Sequence, residues 1–119
     1  MSKSTISIVR AENYNPMEVL AALRRCLDPL GGMAAFVKKG QRVLLKPNLL
    51  AAFPPERAVT THPAIVCAAA ILALEQGAQV SVGDSPGFGE LAAVLQRCGL
   101  TKVLEPMGVT VADFKQTVE

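Results

Sequence analysis

The chain has 119 residues, which is enough for one folded domain with a substantial hydrophobic core. Apolar residues make up 50% and charged residues 18%, a composition that excludes an intrinsically disordered chain. The net charge of +2, from 12 basic and 10 acidic side chains, is too small and too scattered to indicate a nucleic-acid partner.

The first part of the chain predicts a strand, a helix and a second strand. Residues 5–10 alternate polar and apolar side chains, which favours a strand. Asn15, Pro16 and Glu18 form a capping-box-like start of a helix, and Pro29 predicts its end. Residues 42–46 have a continuous apolar centre, which is typical of a strand covered on both faces in a parallel sheet.

A long loop at residues 48–61 precedes a second helix. Loops of this length in a small domain are often functional or mobile. The pair His62 and Pro63 predicts the helix start, because proline suits the first helical position. Residues 64–74 are apolar nearly all round, so this helix should be buried on more than one side, and it looks short of partners within the chain.

The remaining elements complete an alternation of strands and helices. They are a strand at residues 79–82, a helix that ends at residues 98–99, and a fourth strand at residues 109–111. This order predicts an α/β class: a three-layer fold with a mainly parallel sheet of about four strands and helices on both faces. Because the chain stops soon after a strand, residues 1–119 are predicted to form a single α/β domain that is the N-terminal part of a longer protein, or that forms a homo-oligomer.

The cysteines and the apolar segments bear on the compartment. Cys26, Cys67 and Cys98 are far apart, with no CxxC pair, which favours a reducing compartment. Each lies in an apolar helical pattern, which predicts packing in the core. The start of the chain has no apolar core of signal-peptide length, and residues 64–74 are too few to span a bilayer. We therefore expect a cytoplasmic protein with no membrane partner.

Three motifs in order carry a resemblance to a known family. They are Lys-Pro-Asn at residues 46–48, Thr-His-Pro at 61–63 and Gly-Asp-Ser-Pro-Gly at 83–87. With them, and with the run Lys-Gly-Gln-Arg-Val-Leu-Leu-Lys-Pro-Asn at 39–48, the chain resembles the domain-of-unknown-function 362 family from Ile6 to Phe114. The family's members are usually longer, and some carry a ferredoxin-like segment with iron–sulfur clusters. This chain has no CxxCxxC run, so the resemblance implies a cluster only in a longer parent protein.

Lys46 and Asp84 are the best pair of candidate site residues. Each ends an apolar strand on what we predict to be the same sheet edge, because right-handed crossovers bring parallel carboxyl ends together. Lys46 would hold an anion, and Asp84 would accept a hydrogen bond or bind a metal. The alternative is that the two side chains pair only with each other as part of the framework.

The glycine-rich turn after the third strand adds Ser85 and Gly87. Their backbone N–H groups would meet an anion at a helix N-terminus, although the glycine spacing does not match a dinucleotide or nucleophile motif. The alternative for Ser85 is a simple helix cap.

The second helix and the loop before it supply Asn48, Thr61 and His62. Asn48 would contact the ligand or close its turn. Thr61 would cap the helix or contact the ligand. His62, the sole histidine, would move a proton or serve as the N-cap fixed by Pro63. Asp84 and His62 are too few for a closed metal site, so no metal is assigned.

These residues predict a domain that binds a small anionic or polar ligand at the carboxyl edge of the sheet. Any catalysis would rest on electrostatic positioning by Lys46 and Asp84, with His62 moving a proton. A second hypothesis is a non-catalytic structural or assembly module that uses the apolar second helix as its contact face.

Overall fold

The computed structural model describes residues 3–84 and 89–113. Its helices are α1 (Pro16–Leu27), α2 (Pro63–Glu75), α3 (Leu91–Arg97) and α4 (Leu100–Leu104), and its strands are β1 (Arg42–Leu45), β2 (Gln79–Asp84) and β3 (Thr110–Asp113). In the described part of the chain, no helix is long and apolar enough to cross a membrane.

Local sequence explains the start of α1. The side chain of Asn15 accepts hydrogen bonds from the backbone N–H groups of Met17 at 3.0 Å and Glu18 at 3.4 Å, and Pro16 occupies the first turn. Such caps satisfy amides that have no partner within the helix. The predicted start is confirmed, and the helix ends at Leu27, just before the predicted stop.

The strands form one parallel sheet in the order β1-β2-β3. Val43 is level with Val80, and Leu45 with Val82, so these apolar side chains share a face. The predicted α/β class with a parallel sheet and helices around it is confirmed, with three strands in residues 3–84 and 89–113 against about four expected.

The expected first strand at residues 5–10 is wrong. The segment does not form a strand, and Ile6 and Ile8 are 79% and 88% exposed. Alternation shows only which side chains would share a face, whereas a strand also needs a neighbour to accept its backbone hydrogen bonds.

Helix α2 lies between α1 and the sheet, so its apolar character is accounted for within the chain. Val66, Ala70 and Ala73 join the main core with Val80 and Val82 of β2, together with residues of α3 and α4. On its other side Ala64 and Ala68 pack against Val19, Leu20 and Leu23 of α1. Burial on more than one side is confirmed, and the expectation that α2 is short of partners is wrong.

An ion pair between exposed side chains also joins α1 to α2. The two guanidinium nitrogens of Arg24 each donate to a carboxylate oxygen of Glu75 at 2.9 Å. These hydrogen bonds hold the pKa of Glu75 below its usual range and raise that of Arg24. The pair lies at the end of α2 away from His62, and because both side chains are exposed its contribution to stability is small.

Strand β1 is covered less than expected. Val43 and Leu45 pack against the core, but Leu44, which points to the other face, is 47% exposed. The prediction of cover on both faces is therefore wrong for β1. Among the described strands β1 lies at one edge of the sheet, with β2 as its neighbour.

The chain after the sheet's second strand follows the predicted order. Helix α3 begins at Leu91 with Glu90 as N-cap, and it ends with Cys98 as C-cap followed by Gly99 at φ 88°. Glycine adopts this left-handed conformation without the strain that other residues incur. The predicted fourth strand is β3, which begins at Thr110.

Candidate functional site

Lys46 and Asp84 meet at the carboxyl edge of the sheet. Lys46 follows β1 directly, Asp84 ends β2, and the two strands are parallel neighbours. The Lys46 ammonium lies 3.0 Å from Oδ1 of Asp84, with side-chain exposures of 65% for the lysine and 9% for the aspartate. The predicted convergence is therefore present, with a buried carboxylate holding an ammonium group that faces solvent.

The other oxygen of Asp84 binds the loop that follows β1. The backbone N–H of Leu49 donates to Oδ2 of Asp84 at 3.0 Å, and Leu49 itself is fully buried in the core. A buried amide needs such a partner, since an unsatisfied one is costly. One carboxylate oxygen of Asp84 thus pairs with the Lys46 ammonium, and the other accepts the N–H of the buried Leu49. Asp84 therefore contributes to the stability of the fold through its own contacts.

Asn48 and Thr61 close the base of the long loop. The N–H of Asn48 donates to the Thr61 hydroxyl at 2.9 Å, and the N–H of Thr61 donates to the carbonyl of Asn48 at 2.9 Å. The Asn48 side-chain amide also donates to the carbonyl of Val59 at 3.2 Å. The Asn48 side chain therefore makes a contact within the loop, and a contact with a ligand stays a prediction. The expected capping role of Thr61 is wrong, because the cap of α2 is His62.

His62 is the N-cap of α2, as the second interpretation of this residue predicted. Its Nδ1 accepts the backbone N–H of Ala64 at 3.0 Å, and Pro63 occupies the first helical turn. An Nδ1 that accepts a hydrogen bond carries no proton, so the neutral ring has its proton on Nε2. Burial lowers the pKa of His62, and the charge of Glu56 opposes this. The ring is therefore poised as a hydrogen-bond donor through Nε2.

The ring of His62 stacks on Tyr14, in the segment before α1. The ring centroids are 3.8 Å apart and the planes differ by 5°. Both rings border a cavity of about 500 Å³, whose other lining residues are Pro55, Glu56, Ala58, Thr60, Thr61 and Ile65. The segment before α1, the long loop and the N-terminus of α2 therefore meet at this cavity.

The structure brings the predicted site residues together in two groups. Lys46 pairs with Asp84, and Asn48 pairs with Thr61, while Thr61 and His62 border the cavity. Ser85 and Gly87, with their predicted anion-binding or capping roles, lie outside the described residues.

Sequence reasoning missed three residues that complete this region, namely Tyr14, Leu49 and Glu56. Tyr14 is the sole tyrosine of the chain, which is a weak signal, and Leu49 directly follows a motif that was recognised. Nothing near Glu56 in sequence indicates its place beside His62.

The cysteines lie apart and make separate contacts. Cys98 is buried, Cys67 approaches the sulfur of Met107 at 3.7 Å, and Cys26 lies 3.5 Å from the carbonyl of Ser7. Burial raises the pKa of Cys67 and of Cys98, and for Cys98 the Thr60 hydroxyl is among the groups that oppose this. Residues 3–84 and 89–113 contain no group of three His, Cys, Asp or Glu side chains that could hold a metal.

The described residues define an α/β domain with polar side chains gathered at the carboxyl edge of a parallel sheet. The family model described as Domain of unknown function (DUF362) matches residues 43–119, and the chain belongs to that family.

A curated relative matches more of the chain. Thylakoid-associated protein sll1697 from Synechocystis sp. (strain ATCC 27184 / PCC 6803 / Kazusa) is 41% identical over 111 residues. The match covers 93% of this chain and 35% of the relative, so the chain spans about a third of the relative's length. No solved structure is significantly similar to the chain.

Acidification is expected to destabilise the chain through His62. Its pKa in the folded state lies below the unfolded value of about 6.5. The contribution of neutral His62 to the free energy of unfolding is therefore complete above about pH 6.5. It is lost as the pH falls toward the folded pKa, because the unfolded chain takes up the proton first. Protonation of Nδ1 also breaks the bond from Ala64.

Thermal unfolding between about pH 7 and about pH 5.5 measures this effect. His62→Asn is the matched control, since asparagine caps helices without titrating. The melting temperature of the unmodified chain should fall more over this interval than that of the variant. An equal fall in both proteins would contradict the assignment of the effect to His62.

Proposed function

We propose that this domain binds a small anionic or polar ligand at the carboxyl edge of its sheet, with Lys46 as the main contact. The observation that carries the proposal is the exposed Lys46 ammonium held 3.0 Å from the buried Asp84 carboxylate. An ammonium positioned in this way can bind an anion with little further loss of side-chain freedom. Open α/β sheets commonly bind ligands in this place, outside the carboxyl ends of their strands.

The surrounding backbone supports the same proposal. Asp84 binds Leu49, and the reciprocal bonds of Asn48 and Thr61 tie the two ends of the loop together. Lys46 therefore stands on a segment whose path is fixed at several points. The Gly-Asp-Ser-Pro-Gly motif continues from Asp84, and we propose that Ser85 and Gly87 contribute to the same ligand. A reaction at this edge would use Lys46 to stabilise negative charge and His62 to move a proton.

Lys46→Met tests the proposal with inorganic phosphate as the probe. Methionine keeps most of the side-chain length and removes the charge, so binding of phosphate should weaken about tenfold or more, the loss expected for one charge-assisted hydrogen bond. The measurement is the shift of the backbone amide NMR signals of Lys46, Asn48 and Leu49 during a phosphate titration.

Lys102→Met is the matched control, because Lys102 is an exposed lysine on α4. It should leave the phosphate titration unchanged. If phosphate moves none of these amide signals, or moves them equally in Lys46→Met, the anion site does not exist and the pair of Lys46 and Asp84 serves the framework alone.

A structural or assembly role is the second proposed function. It is favoured by the contacts of Asp84, which already bind Lys46 and the backbone of Leu49. The apolar surface of α2 is a poor contact face, because α1 and the sheet cover most of it. Ile65, at 40% exposure, is a part of α2 that remains open to a partner. A failed phosphate titration would favour this role.

We also propose that this domain is the N-terminal part of a longer protein. Support comes from the relative, of which the chain covers 35%. Any iron–sulfur cluster would then lie in the part of the longer parent protein outside this domain. We propose a cytoplasmic location, and fractionation of cells would test it, because the name of the relative points instead to association with thylakoids.

A further inference from the structure

We propose that the cavity beside His62 binds an uncharged planar group that both donates and accepts hydrogen bonds, such as a carboxamide carried on an apolar ring. This cavity, called here the His62 cavity, is the space of about 500 Å³ bordered by Tyr14, Glu56, Thr61, His62 and Ile65. Its volume is in the range of small-molecule sites. The proposal does not depend on Lys46 or Asp84, which do not border the cavity.

The hydrogen-bonding groups of the cavity define the ligand. Because Nδ1 of His62 accepts the Ala64 N–H, Nε2 carries the proton and is a donor. Glu56 is an exposed residue on the border of the cavity, and its side chain ends in a carboxylate, which is an acceptor. Within the described residues neither Nε2 of His62 nor the Glu56 carboxylate has a hydrogen-bond partner. A carboxamide carbonyl would accept from His62, and its NH₂ group would donate to Glu56.

The charge of the cavity argues against an anion. Among the described residues that border it, Glu56 is acidic and none is a lysine or an arginine. Nδ1 of His62 is occupied as an acceptor by the Ala64 N–H, and burial lowers the pKa of the ring, so the neutral imidazole supplies no compensating charge. An anion would therefore meet repulsion from Glu56, whereas an uncharged amide would not.

The apolar part of the border suits a ring. Tyr14 and Ile65 are 58% and 40% exposed, so each has apolar surface that a ligand ring could cover. Pro55 and Ala58 complete the apolar border. A ligand ring placed here would cover Tyr14 and Ile65 and gain roughly 25 cal/mol for each Å² of apolar surface removed from water. Aromatic probes are therefore the right test compounds.

Three matched probes separate the chemical classes: benzamide is neutral, benzoate is an anion and benzamidine is a cation. The chain has one tyrosine and one histidine, so their ring protons give single sets of NMR signals that report on this cavity. Benzamide should shift both sets and bind at least about tenfold more tightly than benzoate, which corresponds to about 1.4 kcal/mol. Benzamidine is attracted to Glu56 but offers no acceptor to His62, so benzamidine binding tighter than that of benzamide would overturn the choice of an uncharged ligand.

Two variants assign the effect to named residues. Glu56→Gln should narrow the difference in affinity between benzamide and benzoate. Glu105→Gln changes an acidic residue that does not border this cavity, so it should leave the difference in affinity unchanged. His62→Asn keeps a side chain that can cap α2 and removes the imidazole, so benzamide binding should be lost while the chain stays folded.

Benzoate binding as tight as benzamide, or ring signals that benzamide leaves unmoved, would overturn the proposal. Benzamide binding retained in His62→Asn would overturn it as well. The phosphate titration of Lys46→Met is a separate measurement on other residues, so either proposal can fail while the other stands.

Discussion

Replacing Leu49 with alanine is expected to lower the free energy of unfolding by about 2–5 kcal/mol, the usual cost of this change in a protein core. Leu49 is fully buried and belongs to the main core, although it lies in a loop. Urea unfolding followed by circular dichroism measures the change. The large expected effect follows from the anchoring role of Leu49, which holds the loop against the core next to Lys46.

Leu50→Ala is the matched control. The residue is adjacent and chemically identical, but it is 43% exposed. Its replacement should cost less than about 1 kcal/mol, as surface substitutions usually do. Similar losses for Leu49→Ala and Leu50→Ala would show that the loop is not anchored through Leu49.

Replacing Asp84 with alanine is expected to cost roughly 2–4 kcal/mol of unfolding free energy. The change leaves the buried N–H of Leu49 without its acceptor and removes a charge-assisted hydrogen bond, for which losses of about 1–3 kcal/mol each are typical. The two losses overlap because they share one carboxylate, so they do not simply add. The same urea experiment measures the effect.

Asp84→Asn separates the two contacts. The amide oxygen of asparagine can still accept the N–H of Leu49, whereas its neutral side chain cannot attract the ammonium of Lys46. It should therefore cost clearly less than Asp84→Ala. Equal costs for the two variants would show that the hydrogen bond to Leu49 contributes little.

These expected losses decide which residue tests the anion site. A stability loss in Asp84→Ala would follow from its contacts whether or not a ligand binds nearby. Lys46 is exposed, so Lys46→Met removes the proposed ligand contact at a smaller cost to the fold. Binding and folding can therefore be measured separately at this edge of the sheet.

Local chemistry made much of the fold predictable. Asn15 caps α1 and His62 caps α2, each followed by a proline at the first helical position. These capping signals depend on residues that are adjacent in the chain, so they can be recognised from the sequence without the tertiary structure. The apolar runs before Lys46 and Asp84 likewise predicted strands that end at one edge, as β1 and β2 do.

Tertiary contacts overruled the local pattern at residues 5–10. Alternation predicted a strand, but no neighbouring strand in the described sheet accepts its backbone hydrogen bonds, and Ile6 and Ile8 are exposed. Pairing depends on distant segments, which a local pattern does not contain. The exposure of Leu44 was likewise not predictable, because the segments that cover each face of β1 are distant in sequence.

The sequence by itself determined the order of the elements from α1 to α3, the starts of α1 and α2, and the presence of Lys46 and Asp84 at strand ends, since each depends on neighbours in the chain. Only the tertiary structure decided that Asp84 binds Leu49 and that Tyr14 stacks on His62 beside Glu56. These contacts join segments far apart in sequence, and the packing of α1 on α2 and of α2 on the sheet brings them together.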